Sequence, residues 1–119
     1  MNNLKINKNV LYLCNRKEEN GRLVFSEPIK MKLNYQPVST TGEMISFGSD
    51  FINRLIIYTT KRIAKQFHNF DRLYIFNEVP EEYDPYCVGA DYYVNGEPSI
   101  FLGEAMIYLQ KMTGDDLYE

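Results

Sequence analysis

Turn-forming residues break this chain roughly every 8 to 14 positions, a spacing that limits its elements to short strands and brief helical turns. Asn20-Gly21, Pro28, Pro37, Gly42, Gly48, Asn69, Pro80, Pro85, Gly89, Asn95-Gly96, Pro98 and Gly103 fall between runs rich in Val, Ile, Leu, Tyr and Phe. A parallel sheet would need strands alternating with helices of roughly 10 to 15 residues, and no such alternation is present. The spacing predicts a mainly β fold, a small β-barrel or sandwich. The tally is about six or seven short strands, with one or two short helices and a long flexible loop.

Several strands can be placed. Asn9 to Asn15 (NVLYLCN) leads through Arg16-Lys17-Glu18-Glu19 to Asn20-Gly21, a strong hairpin signal, and Arg22 to Phe25 supplies the returning strand. In KMKLNYQ, Lys30 and Lys32 alternate with Met31, Leu33 and Tyr35, the period of a half-buried strand that stops before Pro37. The stretch 38–50 is rich in Ser, Thr and Gly without steady periodicity and predicts the flexible loop. Ile-Ile-Tyr-Thr-Thr at 56–60 is β-branched and predicts a strand, after which KRIAKQF places Ile63, Ala64 and Phe67 on one face of a helical turn or two.

Beyond Asn69, Asp71 to Phe76 predicts a strand with Leu73 and Ile75 on one side and Arg72, Tyr74 and Phe76 on the other. The run NEVPEEYDPYCVG is too punctuated for a regular element and predicts a surface loop. Asp91 to Asn95 and Ser99 to Leu102 read as a hairpin about Asn95-Gly96-Glu97-Pro98. Residues 104–112 (EAMIYLQKM) suit a helix or a further strand, and the tail 113–119 reads as frayed.

At 119 residues, 45% of them hydrophobic, the chain can bury one modest core, so residues 1–119 are expected to form a single domain. Cys14 and Cys87 stand far apart without companion His or Cys, so the expectation is buried thiols rather than a metal knuckle or a disulfide framework. The N-terminal stretch lacks the features of a signal peptide and no apolar run reaches bilayer length; the expectation is a cytosolic, unprocessed chain without membrane association. The net charge of −3 conceals an asymmetry: eleven Lys/Arg against five Asp/Glu through residue 65, then two against eleven. Either the halves interleave and neutralise each other, or the molecule has one basic and one acidic side able to stack head-to-tail with copies of itself.

The densest chemistry lies between Phe70 and Gly103, where Asp71, Glu78, Glu81, Glu82, Asp84, Asp91 and Glu97 accumulate. A hydrolase needs two carboxylates at fixed separation, one with a raised pKa, and nothing nearby in sequence clamps or desolvates Glu81, Glu82 or Asp84. The loop lacks the Asx spacing of a calcium site. His68, the only histidine, reads as a loop hydrogen-bond partner three positions before Asp71, and Ser39-Thr40-Thr41-Gly42 is neither a phosphate loop nor a nucleophile elbow. No catalytic residue, cofactor or metal is expected. An oligonucleotide-binding barrel is disfavoured because the aromatic-rich strands fall in the acidic half.

In order and spacing, KLNYQPVS, ISFGSDFINRL, DRLYI, NEVPEEYDP and GADYYV, spanning Met31 to Leu109, resemble the head-closure proteins of tailed bacteriophages with long non-contractile tails. These are also called stoppers or head-completion proteins. The resemblance implies a small β-barrel that assembles as a ring, commonly of about twelve copies, under the portal and its adaptor. There it closes the DNA exit channel after packaging and gives the tail its platform. Portal and adaptor proteins would lie above it, tail-completion or tail proteins below, and DNA in the channel without sequence-specific binding. The implied location is the virion connector, assembled in the bacterial host cytoplasm. In that family a flexible loop projects into the lumen; the matching residues are Thr40, Thr41, Gly42, Glu43, Met44, Ile45, Ser46, Phe47, Gly48, Ser49 and Asp50. The sequence departs from the pattern in turning at Asn95-Gly96 directly after ADYYV, and in its tail after Leu109.

With that resemblance, Asp71 and Asp91 are expected to begin two core strands and accept backbone amides, with Leu73, Ile75, Tyr92 and Val94 in the barrel wall or core. Glu81, Glu82, Tyr83 and Asp84 are then an acidic-aromatic surface for a basic neighbour such as Lys61, Arg62 and Lys65 of the next subunit. The alternative assignment is another small connector, such as a tail-terminator or tail-completion protein.

Overall fold

The computed structural model describes residues 8–37 and 54–112. In chain order these form strands β1 (Lys8–Cys14), β2 (Arg16–Glu19), β3 (Arg22–Phe25), β4 (Ile29–Pro37) and β5 (Arg54–Thr60). Then follow helix α1 (Lys61–Ala64) and strands β6 (Arg72–Tyr74), β7 (Tyr92–Val94), β8 (Ser99–Phe101) and β9 (Glu104–Lys111).

Six strands, in the order β5-β4-β1-β6-β7-β9, close on themselves because β5 also pairs with β9, from Arg54↔Gln110 to Thr60↔Glu104. Each of these barrel pairings is antiparallel. Strand β8 adds to β9 outside the barrel, and β2 and β3 form a separate two-stranded sheet. The fold is therefore a small, mainly β barrel with one short helix among the described residues. Closure removes the unpaired edges that an open six-stranded sheet would expose.

Alternation along each strand decides what fills the barrel. Leu11 and Leu13 on β1, Leu55 and Ile57 on β5, and Ala105, Ile107 and Leu109 on β9 point inward and are almost wholly buried. Burying each of the larger of these side chains favours the fold by about 1.5–3 kcal/mol. The residues between them, such as Tyr58 and Tyr108, lie at the surface. Thr60 caps α1 by accepting the Ile63 amide at 3.3 Å, and Ala64 and Phe67 then turn into the same core.

A second, smaller core lies on the barrel's outer face. Tyr12 and Cys14, which alternate with Leu11 and Leu13, meet Tyr74 of β6, Phe25 of β3, and Cys87 and Ala90 of the loop between β6 and β7. The loop is thus strapped across the wall, with the Pro85 carbonyl accepting the Phe25 amide at 2.7 Å.

Four local expectations are corrected. The segment leading into β1 does not fold back on Arg22 to Phe25: the Asn20-Gly21 hairpin joins β2 to β3, while β1 pairs with β4 and β6. The chain breaks register at Asn15, whose amide and carbonyl bond to Ser26 instead. Strand β7 does not pair with β8; the last hairpin is β8–β9 about Leu102-Gly103. Strand β6 is three residues, not six, because Asp91 takes up the amides of Ile75, Phe76 and Asn77. Pro37 stays in the β4–β5 register opposite Leu55. Residues 104–111, open between helix and strand, are strand β9. The loop 38–50 and the tail 113–119 lie outside the described residues.

Candidate functional site

Two aspartates organise the region that carries the sequence's acidic cluster. Asp71, immediately before β6, is fully buried. Its Oδ1 accepts the Arg16 amide at 2.7 Å, and its Oδ2 accepts the His68 amide at 2.9 Å and the Asn15 side-chain amide at 2.7 Å. Three donors replace the carboxylate's hydration, so a charge that would be costly alone becomes a structural node. Asp91, immediately before β7, accepts the amides of Ile75 and Phe76 at 2.8 Å each and of Asn77 at 3.3 Å, which pins both ends of the intervening loop together. Both act as expected at the starts of strands; Leu73, Tyr92 and Val94 are core and Ile75 packs against it. His68 adds its ring Nδ1 3.5 Å from Asp71.

The acidic loop itself is ordered by its own residues. Asp84 accepts the amides of Tyr86 and Val88, each at 3.0 Å, and Tyr83 donates its hydroxyl to the Phe25 carbonyl. Two of the proposed partner-facing residues therefore also have internal roles. Glu81 and Glu82 are exposed, and they line a cleft of about 330 Å³ with Glu27, Pro28, Val79, Pro80 and Tyr83. Glu27 joins this acidic surface from the β3–β4 connection, 54 positions before Glu81 in the chain. Lys61, Arg62 and Lys65 are exposed on and just after α1. Among the described residues none of them forms an ion pair with Glu81, Glu82 or Asp84. The candidate loop from Thr40 to Asp50 lies outside the described residues.

The structure also assembles a groove that sequence spacing could not reveal. Arg16, Leu23, Phe25, Phe70, Arg72, Tyr93 and Met112 line a depression of about 400 Å³. The Arg16 guanidinium carbon lies 5.3 Å from the Phe70 ring centroid, and that of Arg72 4.6 Å from Phe25. Phe70 is 47% exposed and sits at φ +73°, a left-handed backbone that a bulky side chain seldom adopts. Tyr93 stacks obliquely on it, with centroids 6.1 Å apart.

A third exposed feature is the tip of the β8–β9 hairpin. Ile100, Phe101 and Leu102 are 46%, 71% and 85% exposed, the last at φ +53° where Asn or Gly would be the ordinary choice. Contiguous apolar side chains held out on a two-residue turn mark a contact surface more than a solvated loop. Among the described residues no group of three or more His, Cys, Asp or Glu could hold a metal ion, and no helix is long and apolar enough to cross a membrane.

No protein family, curated protein or solved structure matches this chain.

Proposed function

We propose that the chain is a structural virion protein of a phage or prophage that assembles as a ring under the portal and adaptor, closes the DNA exit channel and serves as the tail's platform. The observation that carries this reading is the apolar β8–β9 tip, projected from a strand that barrel closure does not need. Such a tip suits docking onto a neighbouring protein. The exposed charges of Lys61, Arg62, Lys65, Glu81 and Glu82 add complementary surface for a head-to-tail contact, which a closed ring uses repeatedly. On this reading the carboxylates meet protein, not substrate: Asp71, Asp84 and Asp91 are committed to backbone amides.

Electron microscopy of the protein mixed with portal–adaptor complex tests the proposal. The expected result is an added ring capping the channel. A protein indifferent to every portal, adaptor and tail component, or one that turns over a small compound, would overturn it.

The Arg16–Phe70–Tyr93 groove favours a second reading, an oligonucleotide-binding barrel, because guanidinium and aromatic rings side by side are what single-stranded nucleic acid stacks upon. Arg16 from the basic half is brought against aromatics of the acidic half. Fluorescence titration with single-stranded DNA separates the readings: this one requires binding that weakens steeply with salt and with Phe70→Ala.

A further inference from the structure

Cys14 and Cys87 are distant in sequence and adjacent in the fold. Cys14 closes β1 with its side chain on the outer wall; Cys87 lies in the strapped loop at φ +48°; both are free and only 1% exposed, in the same small core. The segments carrying them are held by successive residues of one strand end: Phe25 donates its amide to the Pro85 carbonyl at 2.7 Å, and Ser26 to the Asn15 carbonyl at 2.8 Å. Arg72, the register partner of Cys14 on β6, sends its guanidinium to the carbonyls of Tyr86 at 2.9 Å and Cys87 at 3.3 Å. Within this frame Cys14, Cys87 and Tyr74 pack together, and the two thiols are near enough to perturb each other's ionisation.

We propose that Cys14 and Cys87 form an oxidisable dithiol, a modification site at which a hydroperoxide converts the pair into an intramolecular disulfide that fastens the acidic loop to the barrel wall. Cys87 is the attacking sulfur. Cys14, Tyr74 and the nearby Arg72 charge lower its pKa despite burial, while Cys87 and burial push Cys14 up. The Cys87 thiolate attacks the terminal peroxide oxygen; the O–O bond breaks, a sulfenic acid forms, and the alkoxide leaves as alcohol after taking the proton that Cys87 released. The Cys14 sulfur then displaces the hydroxyl: the S–S bond forms, the S–O bond breaks, and the Cys14 proton departs with the hydroxyl as water. Two electrons pass from the thiols to the peroxide. Because both sulfurs are covered, entry of the oxidant requires opening of the loop.

The test is to treat the full chain with hydrogen peroxide, count thiols after denaturation and map the peptides by mass spectrometry. The expected result is joint loss of both thiols, a mass lower by two hydrogens, one linked peptide pair containing Cys14 and Cys87, and recovery of both thiols with dithiothreitol. In C14S, Cys87 should stop at a sulfenic acid that dimedone traps. Oxygen adducts on the separate cysteines of the unmodified sequence, disulfides between copies, or two intact thiols after the methionines have been oxidised would each overturn the proposal. It concerns the chain alone and does not depend on the connector assignment.

Discussion

A carboxyl group withdrawn from water is tolerated only where donors replace its hydration, and Asp71 has three of them. Asp71→Ala strands those donors in a buried site, and we expect it to cost about 3 kcal/mol of stability, measured as a fall in the urea midpoint. Asp71→Asn keeps one acceptor and should cost less. Burial, followed by the neighbouring Asp91 charge, pushes the Tyr92 phenol up to about 12 from 10. Because the folded pKa is the higher one, the tyrosine's contribution is fully present below pH 10 and is lost as pH rises toward 12. In urea titrations across that window Tyr92→Phe should remove on the order of 2 kcal/mol of the decline. The remainder belongs to Tyr35 and Tyr74, which burial also pushes up, and to Cys14, raised by Cys87 and burial. That both aspartates cap strands was legible in their positions before aromatic runs; the donors that Asp71 gathers from Asn15 and Arg16, 56 and 55 positions away, were not.

The two hairpins that the structure places differ in how far local chemistry foretold them. Asn20 and Gly21 lie at φ +53° and +77°, the backbone that a two-residue connection demands, and the dipeptide announces it. Leu102-Gly103 adopts φ +53° and +85° for the same purpose with a leucine where asparagine would serve. The Asn95-Gly96 signal is diverted instead. Asn95 continues onto β9 by donating to the Tyr108 carbonyl at 2.8 Å, and Gly96 donates to the Asn69 side chain at 2.7 Å, so β8 is reached after the ladder has ended. Leu102→Asn should therefore stabilise the isolated protein by roughly 1 kcal/mol in thermal or urea unfolding. The same change should weaken assembly on the portal–adaptor complex if the tip is a docking element. In β9, Ile107→Ala empties core space and should cost about 2–5 kcal/mol.

At the scale of the whole molecule, the barrel gives the charge asymmetry a geometry. Strands β5, β4 and β1, from the basic half of the sequence, lie side by side, as do β6, β7 and β9 from the acidic half, with seams at β1–β6 and β5–β9. The exposed Lys30 and Lys32 belong to the first side, Glu97 and Glu104 to the second. The halves also meet away from these seams, as where Arg16 lies over Phe70 and where Cys14 and Phe25 pack with Tyr74 and Cys87. Changing Glu81 and Glu82 together to Lys should leave the unfolding midpoint within about 0.5 kcal/mol of the original, since both are exposed, yet weaken ring formation on the adaptor. Unchanged assembly, with capsids that still retain their DNA, would remove the charge-pairing element of the proposed function. By itself the sequence determined most of the strand segments, which of their faces are apolar and that aspartates stand before two of them, because these follow from side-chain alternation and contacts within a few residues; it left 104–111 open between helix and strand and overran the end of β6. Tertiary structure decided which strand pairs with which, and with it the Cys14–Cys87 contact, the Arg16–Phe70 groove and the exposed Leu102 tip. Every antiparallel pair uses the same backbone donors and acceptors, so partner choice is settled by barrel closure and the burial of both wall faces, which no local stretch encodes.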